Sequence, residues 1–125
     1  MKLLIVDDSL MDRKLNMSIL KKAGIENEVL QAVDGEEGMK ILSENYKDIC
    51  LILLDWQMPK MDGIAFMKAV VQVPAVASIP TIMITASTSE ENKRLAYDAN
   101  PRLAGYLTKP YQPNNLLALV RPHLK

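Results

Sequence analysis

The chain of 125 residues has little cysteine, no net charge and no long apolar run. Cys50 has no partner for an internal disulfide, so we expect a reducing compartment and a thiol that is buried as a small hydrophobe. Fifteen basic residues balance fifteen acidic ones, so the net charge gives no support for binding nucleic acids or membranes through bulk electrostatics. The opening MKLLIVDD has too few consecutive apolar residues for a signal peptide or a membrane span. We therefore expect a cytoplasmic protein that recognises its partners through a local site rather than through its net charge.

The sequence also lacks internal repeats, low-complexity runs and a linker. Apolar residues are 49% of the chain and charged residues 24%, a composition typical of globular domains. Folding at this length removes roughly two thirds of the extended chain's surface from water. We expect one domain over residues 1–125.

Short apolar runs alternate with longer segments of helical period, a pattern typical of βαβ units in the α/β class. The predicted strands are 3–6, 28–32, 49–54, 81–84 and 105–107. The predicted helices are 9–23, 35–46, 63–73, 87–99 and 113–123. Right-handed crossovers would place helices on both faces of a doubly wound parallel sheet, with the functional crevice outside the carboxyl ends of its strands.

The first predicted helix carries a clear start, end and apolar face. Ser9 and Asp12 fit a capping box, and Gly24 ends the helix. The positions expected to face the core are Leu15, Ile19, Leu20 and Ala23. In the second helix Met39 and Leu42 have core spacing.

Chemically active side chains follow four of the predicted strands. They are Asp7 and Asp8 after the first strand, Asp55 after the third, Thr85 after the fourth and Lys109 after the fifth. Because the carboxyl ends of the strands of a doubly wound sheet share one edge, we expect these residues to converge in one pocket.

The predicted pocket has the parts needed for phosphoryl transfer. Three carboxylates repel and raise one another's pKa unless a cation is present. Oxygen ligands without nearby His or Cys indicate Mg²⁺, which readily takes further ligands from a phosphate group. Lys109 could hold phosphoryl oxygens as a point charge, Thr85 could offer a hydroxyl, and Asp55 is the candidate nucleophile.

Each part has a plainer interpretation on its own. The Asp-Asp pair could be a turn, Thr85 a helix cap, and Lys109-Pro110 a loop. Their joint occurrence at strand exits favours the functional interpretation.

Four motifs carry a resemblance to a known family. VDDS, LLDWQMPKMDG, ITAS and GYLTKP resemble the receiver domains of bacterial two-component response regulators, and the similarity covers essentially the whole chain. The resemblance implies a five-stranded (βα)5 flavodoxin-like fold and a phosphorylation-activated signalling switch rather than a separate enzyme. Within the family, DWQMP and GYLTKP are similar to the chemotaxis branch.

The resemblance also implies roles for individual residues. Asp55 would accept a phosphoryl group from the phosphohistidine of a histidine kinase or phosphotransfer protein. Lys109 would contact the acyl phosphate, with a cis peptide before Pro110. The implied Mg²⁺ ligands are Asp7, Asp8, Asp55 and the backbone carbonyl of Gln57.

Thr85 and Tyr106 match the pair that couples phosphate to shape in this family. The implied output face for a downstream protein is the fourth helix, fifth strand and fifth helix. The alternative for Tyr106 is an ordinary half-buried strand aromatic. Residues 98–105 depart from the family pattern, and 69–80 are unusually apolar, for which packing is the favoured explanation.

Two further functions remain as alternatives. The chain could be a receiver cut from a longer transcriptional or enzymatic regulator. It could also be a Mg²⁺-dependent phosphatase with an aspartate nucleophile, similar to the haloacid dehalogenase family. That family needs a second acid two residues after the nucleophile, and Gln57 stands there. A flavin-binding module is disfavoured because DDSLMD would repel a bare phosphate.

Overall fold

The computed structural model describes residues 1–125 and contains one sheet of five parallel strands. The strands are β1 (Lys2–Val6), β2 (Val29–Ala32), β3 (Ile49–Asp55), β4 (Thr81–Thr85) and β5 (Gly105–Thr108). The helices are α1 (Leu10–Lys22), α2 (Gly35–Asn45), α3 (Gly63–Val71), α4 (Glu90–Ala99) and α5 (Pro113–Val120). Two 3₁₀ turns, Tyr46–Asp48 and Arg121–His123, follow α2 and α5. The strand order β2-β1-β3-β4-β5 confirms the predicted doubly wound, flavodoxin-like fold.

The sheet separates two apolar cores because successive strand residues point to opposite faces. The α3-side core includes Val6, Ile52, Leu54 and Phe66, and the α5-side core includes Ile5, Leu51, Leu53 and Leu116. Strands covered on both faces are apolar throughout, which explains the continuous runs in β1 and β3. Cys50 is a free, buried thiol in the α5-side core, as predicted. None of the helices combines the length and apolar character that a membrane span requires.

The inward face of α1 differs in part from the prediction. Leu15 was expected to face the core, but it is 51% exposed, while the inward positions Arg13 and Asn16 are polar. Arg13 is buried because it finds partners: its Nη1 donates to the backbone oxygen of Asp7 at 2.6 Å, and its Nε to Gln31 Oε1 at 3.0 Å. Ile19 and Leu20 are buried as predicted, so the predicted face is partly right, and apolar period alone could not reveal the bonds that bury Arg13.

The predicted capping box of α1 is only half correct. Ser9 Oγ accepts from the backbone N–H of Asp12 at 3.2 Å, as an N-cap does. The Asp12 carboxylate does not return the bond to Ser9, whose N–H donates to Asp7 Oδ1 at 2.9 Å. Asp12 instead pairs with Lys109.

Several predicted element ends shift. Helix α4 begins at Glu90 rather than 87, because Ser89 caps it by accepting from Asn92 N–H at 3.2 Å. Helix α3 ends at Val71 rather than 73, and α5 gives way after Val120 to the 3₁₀ turn that contains Pro122. Each strand differs from its predicted range by one residue at one end only, and Asp55 and Thr85 close their strands.

The two unusual segments both contribute packing. Val76 is buried in the α3-side core, although Val73 in the same apolar stretch is exposed. At the end of α4, Asn100 Oδ1 accepts from Arg102 N–H at 3.0 Å and forms the turn that brings Leu103 into the same core.

Candidate functional site

The carboxyl edge of the sheet brings the predicted acids together. Asp7, Asp8 and Asp55 each offer a carboxylate oxygen, and these oxygens lie within 4.8 Å of one another. Asp7 is buried, Asp55 is partly buried and Asp8 is exposed. Lys109 Nζ lies 3.4 Å from Asp55 Oδ1 and 3.5 Å from Asp7 Oδ2. The expected convergence is therefore present for Asp7, Asp8, Asp55 and Lys109.

The register of the central strands explains why these side chains meet. Strands β1 and β3 are adjacent, and Val6 lies opposite Leu54, so that Asp7 and Asp55 leave the sheet side by side. Strand β4 flanks the other side of β3, where Ile84 lies opposite Asp55 and Thr85 follows.

The loop after Asp55 is closed tightly at its base. Gly63 N–H donates to the backbone oxygen of Trp56 at 2.7 Å. A Cβ at Gly63 would lie 2.5 Å from the Asp55 carbonyl oxygen, so only glycine fits there. Lys60 in the same loop has a φ of 66°, in the left-handed region. Helix α3 thus starts against the backbone of Asp55.

Charge in the pocket is incompletely neutralised. Burial, followed by the charge of Asp7, raises the pKa of Asp55 to about 6, against the opposing effect of Lys109. Burial also raises the pKa of Asp7, although the Ser9 N–H and Lys109 act in the other direction. Three carboxylates beside one ammonium leave excess negative charge, so this donor set could hold a divalent cation.

Lys109 stays charged despite partial burial. Burial alone would lower its pKa, but the hydrogen bond to Asp12 and the charges of Asp55, Asp7 and Asp12 together raise it. A permanently charged ammonium next to Asp55 is the group that a phosphoryl oxygen would meet. The Lys109–Pro110 peptide is cis.

Asp12 is the site residue that the sequence interpretation missed. Its Oδ2 lies 2.8 Å from Lys109 Nζ, closer than either Asp55 or Asp7. The sequence did hold a signal, because Asp12 is a fourth acid in the first turn of the helix that leaves the same sheet edge. The capping role predicted for this side chain is wrong, because it pairs with Lys109.

Gln57 lies at the mouth of the pocket. It lines a cavity of about 540 Å³ together with Asp8, Trp56, Met58 and Asp62. Of the three clustered acids, Asp8 lines this opening, on the side of the loop that follows Asp55.

Thr85 and Tyr106 are both bonded to Ser87. Thr85 is buried and its Oγ1 accepts from Ser87 N–H at 3.2 Å. The hydroxyl of the partly buried Tyr106 donates to the Ser87 backbone oxygen at 3.2 Å. Since Ser89 caps α4, the plainer interpretation of Thr85 as the cap is wrong. Burial raises the pKa of Tyr106.

Comparison with known families identifies the type of domain. A family model described as the response regulator receiver domain matches residues 3–121. The gliding motility regulatory protein of Myxococcus xanthus is 39% identical over 99 residues, which cover 79% of this chain and 12% of that protein. The sensor histidine kinase CheAY of Helicobacter pylori is 32% identical over 122 residues, covering 98% of this chain and 15% of the kinase. This chain thus spans a small part of both relatives.

Other similar proteins are matched over most of their length. A chemotaxis protein CheY homolog of Campylobacter jejuni is 33% identical over 116 residues, covering 93% of this chain and 86% of the homolog. The solved structure of the chemotaxis response regulator CheY4 of Vibrio cholerae superposes with a TM-score of 0.85 at 33% identity and covers 98% of each chain.

Proposed function

This chain belongs to the family of response regulator receiver domains, the modules of two-component signalling, and we propose that Asp55 is its phosphoacceptor. The observation that carries this proposal is the position of Asp55: it ends a buried central strand, among Asp7 and Asp8, with the Lys109 ammonium 3.4 Å away. A nucleophile, further acids and a fixed cation are the parts that in-line phosphoryl transfer needs.

The proposed step transfers the phosphoryl group to a carboxylate oxygen of Asp55. That oxygen forms a new P–O bond while the P–N bond of a donor phosphohistidine breaks, and the electron pair leaves with the imidazole nitrogen. Lys109 is placed to bind a phosphoryl oxygen. The partly buried position of Asp55 limits the access of water to the product.

The acids of the pocket suit Mg²⁺. Three carboxylate oxygens within 4.8 Å of one another, with no nitrogen or sulfur ligand among them, are the donor set that this ion prefers. Asp7, Asp8, Asp55 and the backbone carbonyl of Gln57 would hold it. The bound ion would supply positive charge for the phosphoryl oxygens.

Ser87 offers a route from the pocket to the proposed output face of α4, β5 and α5. A phosphoryl group that attracts the Thr85 hydroxyl would weaken its bond with Ser87 N–H. The Tyr106 hydroxyl is bonded to the same residue, so its ring would repack with that loop. Phosphate would then favour one of two packings through its differential contacts.

Partners follow from the proposed chemistry. The donor would be a histidine kinase or phosphotransfer protein, and the Helicobacter pylori relative is itself a sensor histidine kinase. A downstream protein would bind the output face, and this binding would take place in the cytoplasm. Chemotaxis is the proposed process because the Campylobacter jejuni relative is a chemotaxis protein. The chain's own reactions would be limited to its phosphorylation and dephosphorylation.

Labelling with acetyl phosphate and Mg²⁺ tests the phosphoacceptor. Intact mass should show one added phosphoryl group on the parent and none on Asp55→Asn. The matched control is Asp48→Asn, an exposed residue of the 3₁₀ turn just before the same strand, which should label like the parent. Equal labelling of Asp55→Asn would remove the assignment. Continuous release of phosphate over many turnovers, lost in Asp55→Asn, would favour the phosphatase with an aspartate nucleophile instead.

A further inference from the structure

Lys109 is bonded most closely to a residue outside the acid cluster. Its Nζ lies 2.8 Å from Asp12 Oδ2, against 3.4 Å for Asp55 Oδ1 and 3.5 Å for Asp7 Oδ2. Only the contact with Asp12 has the length of a charge-assisted hydrogen bond. The ammonium is therefore drawn toward α1 and away from the proposed phosphoacceptor.

Asp12 is well placed to hold Lys109 in this position. Its backbone is fixed in the first turn of α1 by the bond from its N–H to Ser9 Oγ. The Asp12 side chain is 39% exposed and the Lys109 side chain 21%, so the pair lies at the rim of the pocket. Asp12 is not one of the three acids whose oxygens converge. It acts on Lys109 without belonging to the group that could hold a metal.

We propose that Asp12 is a positioning residue that holds Lys109 on the α1 side of the pocket and thereby slows phosphoryl transfer to Asp55. This inference rests on the phosphoacceptor role proposed above. Lys109 would stabilise an incoming phosphoryl group best when its ammonium is directed at Asp55. A negative charge at 2.8 Å on the other side both restrains the ammonium and offsets its field.

A space beside the pair lets the lysine move. A cavity of about 360 Å³ lies next to Asp12 and Lys109, bounded also by Leu15, Pro110 and Tyr111. Tyr111 donates to Asn16 Oδ1 and closes the wall of this cavity. Lys109 is thus held by a single strong bond at the edge of an open space rather than locked by packing.

The test compares initial rates of labelling by acetyl phosphate with Mg²⁺. Asp12→Asn removes the charge with little change in shape and should raise the rate about two- to fivefold, the range that a partly exposed ion pair supports. Asp12→Ala should give a similar increase, and Asp12→Glu should restore most of the parental rate. Glu44→Gln, an equal charge change on the exposed surface of α2, is the control and should leave the rate unchanged.

A double-mutant cycle shows whether Asp12 acts through the lysine. In a Lys109→Ala background, Asp12→Asn should no longer raise the rate, because the residue that it restrains is gone. If the increase persists undiminished, Asp12 acts by general repulsion of the donor, and the positioning role is overturned. High salt should also shrink the difference between parent and Asp12→Asn.

The outcomes separate this inference from the proposed function. A parent that labels on Asp55, with Asp12→Asn and Asp12→Ala no faster, overturns the role of Asp12 and leaves the phosphoacceptor in place. Equal labelling of the parent and Asp55→Asn overturns both the phosphoacceptor assignment and the role of Asp12. Circular dichroism of each variant confirms that the measured rates belong to folded protein.

Discussion

Strand β3 is built differently in its interior and at its carboxyl end. From Leu51 to Leu54 its side chains are essentially inaccessible to water, while the next residue, Asp55, is an acid 11% exposed at its side chain. The interior alternates between the two cores. The end faces Asp7, Asp8 and Lys109. One residue separates the part that folds the protein from the part proposed to react.

The two parts contribute to stability with opposite signs. Each fully buried leucine removes apolar surface from water and stabilises the fold by about 1.5–3 kcal/mol. The raised pKa of Asp55 shows that its ionised form is less favourable in the folded protein than in water. The interior of the strand therefore offsets a cost that its end imposes, as is common at functional sites.

The largest expected effect comes from breaking the interior. Leu54→Ala should lower the free energy of unfolding by about 2–5 kcal/mol, because it removes buried methyl groups and leaves a cavity. Leu95→Ala on the surface of α4, where the leucine is 47% exposed, is the matched control and should change little. Urea denaturation measures both. A loss below about 1 kcal/mol for Leu54→Ala would contradict the division of β3 described here.

A smaller effect of opposite sign is expected at the end of the strand. Burial, then Asp7, raises the pKa of Asp55 from 3.8 in the unfolded chain to about 6. Stability from this group is thus complete below the lower value and is lost as pH rises through the higher one. In metal-free buffer at about pH 7.5, Asp55→Asn should therefore be more stable than the parent by about 1–3 kcal/mol.

The pH dependence sharpens that test. The advantage of Asp55→Asn should shrink as pH falls from about 7 to about 4, because the parent's carboxyl becomes protonated and neutral. Asp48→Asn, in the exposed 3₁₀ turn just before β3, should show no such trend. Parallel urea titrations across this range measure both variants. A constant difference between Asp55→Asn and the parent would mean that the end of the strand carries no electrostatic cost.

The smallest effect concerns the metal. Mg²⁺ at tenfold its dissociation constant should stabilise the parent by about 1.4 kcal/mol, and EDTA should reverse the gain. Asp8→Ala should abolish it by removing a proposed ligand, while Asp48→Ala should keep it. Thermal unfolding with and without Mg²⁺ gives the increment for each protein. If Asp8→Ala keeps the full gain in stability from Mg²⁺, the metal binds elsewhere.

The convergence of the acids could be predicted because it depends on the backbone alone. Parallel strands with right-handed crossovers bring Asp7, Asp55 and Lys109 to one edge whatever their side-chain conformations. Apolar runs that stop at acids mark those exits in the sequence. The family motifs then supplied the proposed roles.

The hydrogen-bond partners of the polar side chains could not be predicted in the same way. Lys109 bonds most closely to Asp12 rather than Asp55, and Arg13 replaces Leu15 on the inner face of α1, because buried polar groups take the partners that the tertiary structure offers. Period and spacing carry no information about such bonds. The shared attachment of Thr85 and Tyr106 to Ser87 was hidden for the same reason.

The contact between Gly63 and the Asp55 carbonyl has a mechanical consequence. An added Cβ at Gly63 would lie 2.5 Å from that oxygen, and Gly63 N–H donates to the backbone oxygen of Trp56. The two ends of the loop between Asp55 and Gly63 are therefore held together. We expect that changes in the length or sequence of the loop around Lys60 leave the position of Asp55 unchanged. Because these contacts join the first residue of α3 to the backbone at Asp55, we expect a displacement of that helix end to shift the Asp55 backbone as well.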